Sequence, residues 1–299
     1  MACRFQVTLS GEHSGHIAAA REALDEVDRI EDVLTVFRDA SEVARVNREA
    51  ADGPVPVSDT LLDVLRRCRK IHEAVEGAFD PTSAPLSRCW GFLQREGRLP
   101  DGAEIAAALA LVGLDKVDVD SQGRTIRFRR RGMALNFGAV GKGYALDRAA
   151  ALLRERGVPR ALLSAGGSSV LAFGGGEGFP VELRSPRAAS VIARLEVADA
   201  ALGTSGAGEQ FFEAGGRRYG HVLDPRTGWP AAGVLSASVG APAAADADAL
   251  STAFLVGGPA LAERYCDAHP GTLALLTLEA DPVRPARFGH CPGIAIGER

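Results

Sequence analysis

The chain has 299 residues, 46% hydrophobic and 24% charged, which is globular composition with room for a large core or two fused subdomains. Thirty-four Lys and Arg stand against 38 Asp and Glu, a net charge of −4, and the one basic run, RFRRRG at 127–132, is too short to mark a nucleic-acid surface. Five cysteines (Cys3, Cys68, Cys89, Cys266, Cys291) are odd in number and never spaced CxxC, which argues against a disulfide scaffold and a structural zinc site.

In chain order, RFQVTL at 4–9 alternates and predicts an edge strand. No cationic segment followed by an apolar one precedes it, and no apolar run approaches the roughly 18 residues of a membrane span. A soluble, cytoplasmic protein without stable membrane insertion is the expectation. Residues 15–37 place Ile17, Ala20, Leu24, Val27, Ile30, Val33, Leu34 and Phe37 at helical spacing. RDASEVARVNREA predicts a short helix capped by Asp39 or Ser41, and 59–76 a second amphipathic helix stopped by Gly77. GAFDPTSAPLSRCWGF reads as a loop, DGAEIAAALALVG as a helix that Asp101 can cap, and DKVDVDSQGRTIRF as a hairpin turning at SQG.

The second half continues with LNFGAVGKG, a glycine loop, entering the helix YALDRAAALLRERG. PRALLSAGGSSVLAFGGG reads as strand, glycine turn, strand, and residues 189–198 and 234–240 as strands. DADALSTAFLVGG predicts a buried helix, PALAERYCDAH an exposed one, and TLALLTLE a closing strand. Strands and helices mix without βαβ alternation, so the expected class is α+β, with mixed or antiparallel sheets and packed helices. A composition shift near residue 130 hints at a helical first part (1–130) and a strand-rich second part (131–299) within one domain.

Several stretches could carry chemistry. GAVGKGYALD is neither a Walker A motif nor a dinucleotide fingerprint, because no Ser or Thr follows Lys142 and Leu146 stands where a third glycine is needed. Glycines before a helix still bare backbone N–H groups that attract phosphate, and Lys142 adds a positive charge; a plain glycine-shaped helix entry is the competing account. Gly166 and Gly167 in SAGGSS permit either close approach to a ligand or a bare hairpin turn. Asp248 and Thr252 are four apart and share a face of an otherwise small and apolar helix. They could be oxygen ligands for Mg2+. Alternatively, Asp246 caps the helix, Asp248 serves its dipole and Thr252 bonds back to a carbonyl. GHVLDPRTGWP, with two prolines and two glycines, is a tight loop in which His221 and Asp224 could be catalytic, ligand-binding or structural. No GxSxG, HExxH or CxxC is present, and nothing points to a covalent nucleophile of the chain's own.

Taken in order, six of these stretches resemble the ApbE family of flavin transferases, along most of the chain. They are FRDASEVARVN, GAFDPTSAPLSRCWGF, LNFGAVGKGYALD, LLSAGGSSVLAFG, TSGAGEQFFEAGGRRYGHVLDPRTGWP and ADALSTAF. The resemblance implies an ApbE-like fold and transfer of FMN from FAD to a Thr or Ser hydroxyl of an acceptor protein carrying a flavinylation motif. AMP is released. It implies Mg2+ held by Asp248, Thr252 and the carbonyl of Ala139, and a flavin nucleotide contacted by Ala139, Lys142, Gly166, Gly167, Ser168, Thr204, Ser205, Gly206, His221, Asp224, Thr227 and Gly228. His221 and Asp248 are the catalytic candidates it singles out, the histidine as proton acceptor or phosphate contact. Asn136 stands where the family usually has aspartate, Ser168 where it often has aspartate or asparagine, and MACRF replaces its MGT. Two further readings of the same site are an FAD pyrophosphatase, with water attacking, and a flavin carrier without turnover.

Overall fold

The computed structural model describes residues 3–187, 190–208 and 210–297. The first half of the chain forms β1 (Phe5–Thr8), α1 (Ile17–Leu34), α2 (Glu42–Glu49), β2 (Val55–Pro56), α3 (Asp59–Ala74), α4 (Ala84–Cys89), α5 (Gly102–Leu109), β3 (Val117–Asp120) and β4 (Thr125–Phe128). The second half forms α6 (Gly141–Glu155), β5 (Ala161–Ala165), β6 (Ser169–Phe173), β7 (Phe179–Arg184), β8 (Val191–Val197), β9 (Ala200–Gly206), β10 (Phe211–Ala214) and β11 (Arg217–Gly220). It closes with β12 (Val234–Ala241), α7 (Ala244–Ala268), β13 (Leu273–Leu278), β14 (Ala286–Gly289) and β15 (Ile294–Ile296).

Two compact units emerge, each assembled from separated stretches. The first comprises Met1–Glu31, Val140–Gly206 and Gly233–Arg299. Its main sheet has seven strands in the order β1-β5-β6-β9-β12-β13-β14, every pair antiparallel, with β1 at the edge as its alternation predicts. A three-stranded sheet, β15-β8-β7, packs on it through Leu183, Ile192, Leu195, Val197 and Ile294 against Leu202, Leu273 and Leu275. β12, with sequence VLSASVGA, is buried along its whole length, so small residues replace the polar half of a strand's alternation. α7 breaks at Gly258, whose φ of 70° no helix accommodates, with Pro259 following. That separates a buried helix from an outer one at the junction GG/PA read from the sequence.

The second unit comprises Asp32–Ala139 and Ala207–Ala232. It holds helices α2 to α5 and two small sheets, β2-β4-β3 and the hairpin β10-β11. Its aromatic core joins Leu86, Trp90, Phe92, Ile105, Tyr219 and Leu223. The expected caps are in place: Ser41 accepts from the Ala44 amide, and Asp101 with Glu104 forms a complete capping box.

Some expectations are corrected. The segment 77–92 is not all loop, because Pro85 at the helix start and the Ser83–Leu86 turn allow the short helix α4. The buried face of α1 is Ala19, Ala23, Val27, Ile30 and Leu34, while Ile17 is exposed and Phe37, beyond the helix, is 72% exposed. TLALLTLE is not the closing strand, since β14 pairs with it and β15 follows. No described helix is long and apolar enough to cross a membrane.

Candidate functional site

In the first unit, α6 and α7 begin side by side. Gly143, the third residue of α6, lies against the first turn of α7, where a Cβ would come 2.0 Å from the Ala244 carbonyl oxygen. Only glycine fits there. This approach lets each helix cap the other. Asp147 of α6 accepts from the Ala244 and Ala245 amides at 2.8 and 3.0 Å. Asp248 of α7 accepts from the Gly143 amide at 2.7 Å. Ala243, at the N-cap position of α7, offers no side-chain bond, so the expected cap by Asp246 is replaced by Asp147. Each carboxylate satisfies amides that a helix start leaves without partners and sits at the positive end of a dipole.

Asp248 is 4% exposed. Its other oxygen accepts from Ser169 Oγ at 2.6 Å, and Lys142 Nζ lies 4.0 Å from Oδ2. Burial pushes its carboxyl above the ordinary carboxylate range, while the Lys142 charge and the Ser169 and Gly143 hydrogen bonds pull the other way. Next to it, Ser205 Oγ bonds Ser251 Oγ at 2.8 Å and Thr252 Oγ1 at 3.0 Å, and Ser251 Oγ donates to the Asp248 carbonyl. Thr204 pairs with Ser238 across β9 and β12. Gly203 permits this closeness, since a Cβ on it would lie 2.6 Å from the Ala247 carbonyl carbon. The outcome is one buried carboxylate bonded to the Ser169 hydroxyl, with the hydroxyls of Ser205, Ser251 and Thr252 linked beside its backbone carbonyl.

These donors fit a hard cation. Two hydrogen bonds leave the Asp248 carboxylate further lone pairs, and the neighbouring hydroxyls are hard oxygen ligands. Among the described residues no cluster of three His, Cys, Asp or Glu forms.

Gly166 and Gly167 turn β5 into β6 with φ of 59° and 71°, and a Cβ on Gly166 would lie 2.9 Å from Cys3 Cβ. Cys3 in turn feels the Lys142 and Asp248 charges, although burial dominates and pushes its thiol up. Ser168 closes the turn by accepting from the Thr204 amide at 2.7 Å. Gly206 ends β9.

In the second unit, the loop 220–230 is fixed from within. The Asp224 carboxylate accepts from the Arg226 amide and from its guanidinium at two points, each at 2.9 Å. The Gly228 amide donates to the Asp224 carbonyl, and Thr227 Oγ1 accepts from the Trp229 amide. Gly228, with φ of 78°, is buried and its carbonyl accepts from Trp90 Nε1 at 2.9 Å. Thr227 itself is exposed. His221 Nδ1 lies 3.1 Å from the Gln210 carbonyl, which places the ring proton on Nδ1 and makes Nε2 the basic nitrogen.

The segment before Ala139 is pinned by Asn47, whose amide brackets Leu135 with bonds of 2.9 and 2.7 Å, and by Pro81, whose carbonyl accepts from the Asn136 amide. Asn136 Oδ1 accepts from the Gly138 amide, a turn-holding bond that either amide or carboxylate can make. Asp80 and Thr82 of FDPT are buried: Thr82 donates to Asp80 and accepts from the Gly113 amide. The sequence reading missed Asp147, Ser169 and Ser251. The signal for Asp147 was the acid four residues after Gly143 in GKGYALD, one helical turn along the same face.

The ApbE family model matches residues 1–277. A FAD:protein FMN transferase of Klebsiella pneumoniae (strain 342) is 33% identical over 293 residues, covering 94% of this chain and 82% of its own. The FAD:protein FMN transferase of Escherichia coli (strain K12) is 29% identical over 93% of this chain and 82% of its own. Among solved structures, the ApbE protein of Thermotoga maritima superposes with a TM-score of 0.86 at 29% identity, covering 96% of this chain and 93% of its own. The apo flavinyl transferase ApbE of Pseudomonas stutzeri gives 0.82 at 27% identity, covering 96% and 94%. The family match over most of the chain and the shared fold agree: the chain belongs to the ApbE family.

Proposed function

We infer that the chain is an FAD:protein FMN transferase, which joins FMN to a Thr or Ser hydroxyl of an acceptor protein and releases AMP. The observation that supports its chemistry is Asp248, a buried carboxylate hydrogen-bonded by Ser169 and the Gly143 amide. In the reaction the acceptor oxygen forms a bond to the FMN-side phosphorus of FAD. The bond from that phosphorus to the bridging oxygen breaks, and AMP leaves with the electron pair.

The chain's own groups divide the work. His221 takes the hydroxyl proton on Nε2, with Nδ1–H held by the Gln210 carbonyl. Lys142 offsets negative charge on the pyrophosphate. Gly143 does not donate there, since its amide is committed to Asp248. Asp248 and Thr252, with the Ala139 carbonyl that the family resemblance implies, would hold Mg2+. When bound, the metal supplies Lewis-acid charge neutralisation at the phosphates. Gly166, Gly167, Ser168, Thr204, Ser205 and Gly206 would line the nucleotide, while Asp224, Thr227 and Gly228 keep the His221 loop in shape. No covalent nucleophile is required of the enzyme, because the acceptor brings it.

Equilibrium titration of the purified protein with FAD, with and without Mg2+, followed by flavin fluorescence, tests the site. Wild type should bind FAD with an affinity that Mg2+ changes, and Asp248→Ala should lose the metal response. An identical metal response in the variant would remove Asp248 from the metal site.

A further inference from the structure

The end of β9 and the first turns of α7 share a chain of hydroxyls whose protons can be counted. Ser251 Oγ lies 2.8 Å from the Asp248 carbonyl oxygen, three residues back in the helix. A carbonyl only accepts, so the Ser251 proton is committed there. Ser205 Oγ lies 2.8 Å from Ser251 Oγ and 3.0 Å from Thr252 Oγ1. Each hydroxyl has one proton and two lone pairs. The Ser205–Ser251 bond therefore uses the Ser205 proton, and the Ser205–Thr252 bond uses the Thr252 proton. All three bonds form together in one direction alone: Thr252 donates to Ser205, Ser205 to Ser251, and Ser251 to the Asp248 carbonyl. Ser205 pairs with Ala237 in the β9–β12 ladder, so sheet register sets its place beside α7. The back-bond to a carbonyl that the sequence allowed Thr252 is made by Ser251 instead.

We propose that Ser205 is a positioning residue for the metal: it takes the Thr252 proton and so keeps the Thr252 oxygen available to Mg2+. The inference rests on the metal reading of the site given above. A neutral hydroxyl binds a hard cation through a lone pair, and its proton has to point elsewhere. Among the described residues, the bond made by Thr252 Oγ1 uses its proton and neither lone pair. Without Ser205, a helical threonine turns its proton back towards the carbonyl of the preceding turn, here that of Asp248, which already holds Ser251. The chain of hydroxyls ends on Asp248 itself, so it ties the hydroxyl to the residue that supplies the carboxylate. None of its members is charged, so Ser205 acts on the orientation of a ligand and not on the charge of the site.

The test is the Mg2+ affinity of the FAD complex, read from flavin fluorescence as Mg2+ is titrated into the full chain saturated with FAD. Ser205→Ala is expected to bind Mg2+ about 10- to 100-fold more weakly than wild type, the range for removing a group that orients a metal ligand. Ser205→Thr keeps a hydroxyl on the strand and is expected to stay close to wild type. The same Ser205→Ala change is then made in a Thr252→Val background. Because Ser205 acts through Thr252, it is expected to weaken Mg2+ binding no further there. An unchanged affinity in Ser205→Ala, a Ser205→Thr as weak as Ser205→Ala, or an equal extra loss in the Thr252→Val background would overturn the proposal. A wild type whose fluorescence ignores Mg2+ would strike the metal reading itself, a different result from a response that Ser205→Ala leaves intact.

Discussion

Asp248 is buried where a carboxylate is costly to ionise, and it is hydrogen-bonded by donors that favour the charged form. The cation proposed above would resolve that conflict. Asp248→Asn keeps an oxygen for the Gly143 amide but loses the charge, so kcat/KM for FMN transfer should fall at least about 100-fold and its dependence on Mg2+ should vanish. Initial rates across a Mg2+ series check this. His221→Gln should lower kcat/KM by about 100-fold or more while leaving the affinity for FAD unchanged. A variant that instead binds FAD more weakly would make His221 a phosphate contact. Away from the site, burial pushes the Cys266 thiol up to about 11 from an ordinary 9.0. The folded state therefore holds that proton longer than the unfolded state, and the stability this gives is complete below pH 9 and lost as pH rises towards 11. Melting temperatures should accordingly fall more steeply between those pH values in wild type than in Cys266→Ala.

At the scale of elements, the exchange of caps between α6 and α7 is the device that holds the candidate metal site. Asp147→Ala strands the Ala244 and Ala245 amides and should cost about 1–2 kcal/mol in urea unfolding, with the m-value unchanged. Long helices and their local caps were legible in the sequence: Ser41, Asp101 and Gly77 act where their spacing placed them. The cap of α7 was not, because its donor and acceptor are 97 residues apart and a nearer acid, Asp246, matched the local rule. Several strands escaped notice for a related reason. β9, AALGTSG, is made of small residues whose value lies in letting α7 approach, and nothing in local alternation reveals that.

At the scale of the molecule, α+β class and family were readable from ordered motifs, while the grouping into units was not. Each unit joins stretches separated by long runs of chain, 32–139 for the first and 140–206 for the second, and composition along the chain carries no trace of such returns. The candidate site was legible in part: Asp248, Thr252, Lys142 and the His221 loop stood out as residue types, but Ser169 and Ser251 became visible only once the chain was folded. The most direct measurement is the intact mass of an acceptor protein bearing a flavinylation motif, after incubation with the chain, FAD and Mg2+. The predicted result is a gain of one FMN on a single Thr or Ser, with one AMP released per acceptor modified and no gain when Mg2+ is chelated. An acceptor of unchanged mass, with FMN and AMP accumulating as freely in its absence, would contradict transfer and leave hydrolysis as the activity.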